Sequence, residues 1–209
     1  MKQFNVGILL FDMVDALDFA GPYEVFNLTT YNEEDVKRLF MSKLLIEEKP
    51  FKVTTVSKDG EEVMIHNGLV VKPDCAFNNA PLFDIVVIPG GPFKAITTVN
   101  SDEKIIKWIA QQSGQALITS VCTGAFFLAK AGLLDNKNAT TNRAALALME
   151  RSYPNTRVVQ DVKYVDEEDV ITAAGISAGI NMSLHVVKKY LGDEASNRTA
   201  RTIEFVPNT

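Results

Sequence analysis

The residues best suited to chemistry lie at Ser120-Val121-Cys122-Thr123-Gly124. The run before them, Leu117-Ile118-Thr119, is apolar and β-branched and reads as a buried strand of a parallel sheet. Residues 123–130 have helical composition and apolar spacing. A strand that turns sharply into a helix lifts the turn residue to the top of the sheet in a strained conformation, the geometry of the nucleophile elbow. Here cysteine is the central residue, and Ser120 stands where that motif has glycine. A free thiol titrates near ~8.5, and a helix N-terminus lowers that value, so Cys122 is expected to be an activated nucleophile. Adjacent backbone N–H groups would stabilise negative charge developing on a substrate. The competing reading is a small buried hydrophobe, which most free cysteines are.

Other candidates gather where strands should end. Asp18 follows the first apolar run and precedes Gly21-Pro22, so it falls near the carboxyl end of a strand, where sites of open α/β sheets collect; a loop or cap residue is the alternative. Gly90-Gly91 ends another apolar run and would let a ligand approach the backbone closely, or would simply form a tight turn. Residues 175–179, Gly-Ile-Ser-Ala-Gly, make a second glycine-flanked turn into a helix. A cysteine hydrolase normally pairs its thiol with a histidine. Only His66 and His185 exist, one in an expected hairpin and one inside a long helix, and both read as packed or surface residues. No histidine-x-glutamate pair, clustered zinc ligands, phosphate loop or Gly-x-Gly-x-x-Gly motif is present, so no metal or nucleotide cofactor is expected.

The elements that would carry these residues follow in order. Strands are expected at 5–11, 51–57, 84–89, 117–121 and 170–174, with shorter ones at 139–141, 157–160 and 163–165. Asn67-Gly68 joins short strands at 63–65 and 69–71 as a hairpin. Helices are expected from Gly21-Pro22 with Pro22 at the first position, then at 102–112, 123–130, 143–151, 180–191 and from Asp193 to about residue 203. The polar stretch 29–49, with a helical pattern at 36–46, reads as an inserted helical hairpin or lid, or a subunit contact. Trp108 reads as core or interface. Alternating strands and helices imply a doubly wound, mainly parallel sheet with helices on both faces.

The chain has 209 residues, 46% of them hydrophobic, which suits one domain over residues 1–209 with a large core. A net charge of −5 and no basic stripe argue against nucleic acid. Two cysteines, Cys75 and Cys122, suit a reducing compartment. The N-terminal apolar run is too short for a signal peptide and nothing approaches a membrane span, so a cytoplasmic protein without membrane contact is expected.

Five segments carry a family likeness in this order: Leu17-Asp18-Phe19-Ala20-Gly21-Pro22, Ile88-Pro89-Gly90-Gly91, Thr119-Ser120-Val121-Cys122-Thr123-Gly124, Ala139-Thr140-Thr141 and Ala174-Gly175-Ile176-Ser177-Ala178-Gly179-Ile180. The chain resembles the ThiJ/PfpI (DJ-1) superfamily from Val6 to Pro207, and within it the isonitrile hydratase branch. The resemblance implies a flavodoxin-like homodimer without metal or cofactor and a nucleophilic Cys122. It further implies an Asp18 carboxyl at the sulfur, Thr123 as the hydroxyl residue after the nucleophile, and Gly90, Gly91 and Thr123 around a bound substrate or oxyanion. Cys122 would attack the carbon of a small isonitrile and Asp18 would protonate the resulting thioimidate, which water releases as an N-substituted formamide. The chain departs from that branch at Asn142-Arg143, where a histidine and an aromatic are expected, at Asn181, where an aspartate is expected, and in the length of 29–49. Two other readings stand beside hydration: a glyoxalase-like or amidase-like activity, and a non-enzymatic, redox-responsive protein using Cys122 oxidation. Superfamily members fused to a DNA-binding segment are regulators, and no such segment is expected in residues 1–209.

Overall fold

The computed structural model describes residues 2–207. Its central sheet has seven strands: β1 (Phe4–Leu9), β2 (Phe51–Ser57), β3 (Cys75–Ala76), β4 (Ile85–Ile88), β5 (Leu117–Val121), β6 (Tyr164–Asp166) and β7 (Val170–Ala173). Across the sheet the order is β6-β7-β5-β4-β1-β2-β3, parallel throughout except for the antiparallel edge pair β6–β7. This is the flavodoxin-like, doubly wound arrangement expected.

Successive residues of each inner strand bury toward opposite faces. Val6, Ile8, Ile85, Val87 and Val121 pack with α1 (Ala16–Leu28), α7 (Ala178–Leu191) and α8 (Asp193–Thr202). Leu9, Val86, Ile88 and Ile118 pack with α3 (Phe93–Asn100), α4 (Glu103–Gln111), α5 (Ala125–Lys130) and α6 (Leu146–Ser152). Because both faces are covered, the strands read as unbroken apolar runs rather than alternating ones. Trp108 is buried on the second face, stacked on Phe77 at 4.5 Å. The sheet grows outward in two directions from β1 and β4, so the chain leaves their carboxyl ends to opposite sides and opens a crevice there. No helix among the described residues is long and apolar enough to cross a membrane.

Three expectations change. First, α1 starts at Ala16, not at Pro22. Asp15 is the extended N-cap, and Pro22 sits inside the helix, where it lacks the N–H that would have reached the Asp18 carbonyl. Asp18 is therefore in the first helical turn rather than a preceding loop. Second, the 29–49 stretch is a single helix α2 (Glu33–Phe40) and a short 3₁₀ turn (Ile46–Glu48), not a helical hairpin. Asn32 caps α2 by accepting from Asp35 N–H, and Ser42 leaves it at a φ of 54°. The stretch is tied to α8 by Arg198 on Thr30 and Arg201 on Glu33, and to Gln3 by Ile46, and none of its residues lines the cleft beside Asn142 or joins the thiol cluster. Third, α3 follows Pro92 directly; its β-branched Ile96, Thr97, Thr98 and Val99 gave no helical signal.

Candidate active site

Cys122 takes a φ of 58°, between the extended Val121 and a 3₁₀ turn, Cys122–Gly124, that leads into α5. The turn is tight because neighbouring backbones touch. A Cβ at Gly124 would collide with the Ile88 carbonyl, and one at Gly90 would lie 2.5 Å from both Thr123 N and Oγ1. The Cys122 N–H donates to the Ala174 carbonyl at 2.9 Å, and its carbonyl accepts from Thr141 Oγ1 at 2.7 Å. The main chain is thus fixed on both sides while the thiol, only 2% exposed, faces the crevice.

Around the sulfur, Asn142 Nδ2 donates at 3.2 Å, and the backbone N–H groups of Ile176 and Thr123 also favour its charged form. Ile176 itself is held at a φ of 35°. Asp18 is fully buried. Its Oδ2 accepts from Gly90 N–H at 3.0 Å, while Oδ1 is sealed from solvent without a hydrogen-bond partner. Carboxylate oxygens of Asp15 and Asp18 and the Cys122 sulfur all lie within 4.8 Å of one another. Thr123 Oγ1 donates to the Gly91 carbonyl at 2.7 Å and accepts from Gly91 N–H at 2.9 Å. The N–H groups of Gly90 and Gly91 are therefore engaged in holding Asp18 and Thr123, and the donors turned to the thiol come from Thr123, Ile176 and Asn142. A cluster of two carboxylates and one thiol is not the four-ligand cysteine and histidine set of a structural zinc site.

The charge state differs from the sequence expectation. Burial, and then the negative charge of Asp18, push the Cys122 thiol up to about 11, against the lowering by Asn142 and the two N–H groups. The six residues of α5 offer little helix dipole to oppose this. Burial likewise pushes Asp18 up to about 7; Gly90 N–H and the thiol pull it back, and Asp15 pushes it further. Above pH 7 the pair Asp18–Cys122 thus holds a single proton, on sulfur, and below it a second proton sits on Asp18. Moving the single proton from sulfur onto oxygen creates a thiolate beside a carboxylic acid.

Beyond Asn142 a cleft of about 420 Å³ opens, lined by Thr141, Arg143, Lys163, Gly175 and Ala178. Asn142, whose Nδ2 lies 3.2 Å from the sulfur, stands between this cleft and the thiol, which does not itself line it. A second cavity, of about 170 Å³ and bordered by Lys58 and Asp102, has no cysteine or histidine in its lining.

Three residues near the thiol gave no usable signal in sequence. Asn142 stood out only as a departure from the related branch. Asp15 looked like a loop charge, yet it borders the pair. His66, in its hairpin as expected, places Nδ1 2.8 Å from Asp15 Oδ1. His185 lies elsewhere, paired with Asp166 on β6.

Known proteins resemble this chain along most of its length. The profile of the DJ-1/PfpI family matches residues 5–189. Isonitrile hydratase of Pseudomonas putida is 32% identical, over 97% of this chain and 79% of its own. The HTH-type transcriptional regulator GbdR of Pseudomonas aeruginosa is 30% identical over 92% of this chain, which spans only 48% of the regulator. Among solved structures, a ThiJ/PfpI family protein from Pseudomonas syringae superposes with a TM-score of 0.82 at 22% identity, over 100% of this chain and 78% of that one. Drosophila melanogaster DJ-1beta gives 0.76 at 20% identity, over 98% and 100%.

Proposed function

Because this chain belongs to the DJ-1/PfpI family, we propose that it is a hydratase of small isonitriles that works through Cys122 and Asp18. The observation that carries the reading is a fully buried, unpaired Asp18 oxygen in a cluster no wider than 4.8 Å with the thiol. Likeness to isonitrile hydratase over most of both chains supports it.

In this reading the thiol proton moves from sulfur to Asp18, and the thiolate bonds to the isonitrile carbon. Asp18 then gives its proton to that carbon, which makes the thioimidate R–N=CH–S. Water adds to the same carbon as Asp18 takes one water proton and passes it to nitrogen. Collapse breaks the C–S bond, the remaining hydroxyl proton returns to Asp18, and R–NH–CHO leaves. The proton count closes on the starting pair, without a cofactor. Gly90 N–H keeps Asp18 turned to the sulfur. Asn142 and the Ile176 and Thr123 N–H groups stabilise the thiolate before attack. Thr123 keeps the elbow seated on Gly91.

A redox-responsive role is less well supported, since oxidation-prone thiols are exposed and readily ionised, whereas Cys122 is buried and raised. An amidase-like role would need a histidine on the thiol, and Asn142 occupies that position.

The test is formamide production from a panel of isonitriles. Cys122→Ser should abolish turnover, and Asp18→Asn should lower it by at least ~10²-fold, the usual loss when an acid–base group is removed. Asp18→Glu should retain part of it. Absence of formamide with the folded wild type, or a wild-type rate in Asp18→Asn, would overturn the reading.

A further inference from the structure

Asp18 and Cys122 are sealed, 0% and 2% exposed, so the pair needs a connection to solvent protons. One group leads outward. Asp15, a quarter exposed, belongs to the same 4.8 Å cluster, a gap that one water spans. Its Oδ1 is 2.8 Å from Nδ1 of His66, whose ring is half-exposed. The two are 51 residues apart in sequence. The fold unites them by laying the hairpin (Val63–Met64 with Val70–Val71) on the loop after β1: Met13 N–H donates to Met64 O, Met64 N–H to Asp12 Oδ1, and His66 N–H to Val14 O. As the N-cap of α1, Asp15 caps nothing with its side chain, so its carboxylate is free for another task. The other charges on the packed elements are Asp12, Lys58, Asp59, Glu61, Glu62 and Asp102 on the hairpin side, and Arg143, Asp161 and Lys163 around the cleft beside Asn142.

We propose that Asp15 and His66 are positioning residues that form the outer half of a proton-sharing chain, His66–Asp15–Asp18–Cys122, and that they set the pH range in which Asp18 holds its proton. The chain rests on geometry; the use made of the Asp18 proton rests on the hydration reading. Asp15 places a negative charge beside Asp18 and makes its ionisation harder. His66 donates to Asp15 or carries a positive charge, and either state softens that effect. The two residues therefore act on Asp18 with opposite signs, which a merely structural role would not produce.

The experiment is carboxyl-detected NMR of protein labelled with ¹³C-aspartate, with the Asp18 resonance assigned by its loss in Asp18→Asn. Asp15→Asn should move the Asp18 midpoint to lower pH, and His66→Ala should move it to higher pH, each by about half a unit or more, as a neighbouring charge or charged hydrogen bond does. The double variant should match Asp15→Asn, because His66 acts through Asp15. Superimposable titrations, or shifts of the same sign, would overturn the proposal. The readout needs no substrate. Opposite shifts in a protein that hydrates no isonitrile would retain the chain and remove the hydration reading, and turnover with unmoved titrations would do the reverse.

Discussion

At the crevice and at the sheet edge, this molecule surrounds two aspartates with acid–base partners and moves their titrations in opposite directions. Asp18 has one N–H donor and no cation, beside another carboxylate and a thiol. Burial prevails and holds it up to about 7. Burial also pushes Asp166 up, but His185 Nε2 at 2.7 Å, Glu168 N–H at 2.8 Å and Lys189 at 3.1 Å outweigh it and hold the carboxyl below its ordinary value. Tyr164 stacks on His185 at 4.5 Å and completes the edge cluster. A carboxylate with several donors is a structural anchor. One deprived of them inside the protein is able to exchange a proton near neutrality.

The largest effect expected from breaking this contrast is on the pH dependence of stability. Burial pushes Asp18 up to about 7 in the fold against an ordinary 3.8, so between those values the native state binds more protons than the unfolded one. Its contribution is intact below pH 4 and is lost as pH rises through 7, by up to about 4 kcal/mol at ~1.36 kcal/mol per unit. Asp18→Asn should therefore match the wild type near pH 4 and exceed it in urea unfolding at pH 8, even though turnover is lost. An equal or lower stability at pH 8 would show that Asp18 is not held against its charge.

Asp166→Asn should behave in the reverse sense. The Asp166 value is lowered in the fold, so its stabilisation is present above the ordinary carboxylate range and is lost on acidification through the folded value. A loss of about 1–2 kcal/mol at pH 7, shrinking toward pH 3 in the same unfolding assay, is expected for a carboxylate with charged partners. The smallest effect is that of His185→Ala. Because Lys189 and Glu168 N–H remain on Asp166, we expect under about 1 kcal/mol of stability loss. The Asp18 NMR midpoint should not move, in contrast to His66→Ala.

How far such details can be read in sequence depends on how local their causes are. The unbroken apolar runs of β4 and β5 announced a sheet covered on both faces, and a cysteine between a strand and a glycine announced the elbow. Asp18 was legible because it lies between the first strand and the helix that follows it, although Pro22 misplaced the start of that helix. Thr123 and the Gly90-Gly91 pair were legible as neighbours of the elbow, but not the pairing that turns both glycine N–H groups inward. The thiol's charge state differs from the expectation, since it depends on burial and on Asp18, which arrives from the first turn of α1. Asp15–His66 was out of reach for the same reason: only the folded hairpin brings its members together.

The left-handed backbone of Cys122 also bears on evolutionary drift. A residue other than glycine at a φ of 58° carries a steric penalty of roughly 1–2 kcal/mol, and glycine at this position would relieve it. In a lineage that no longer needed the reaction, mutation toward greater robustness would remove the cysteine early and leave the fold intact. Descendants with this sheet and these glycine contacts but no thiol at the turn would then mark where the chemistry had been abandoned.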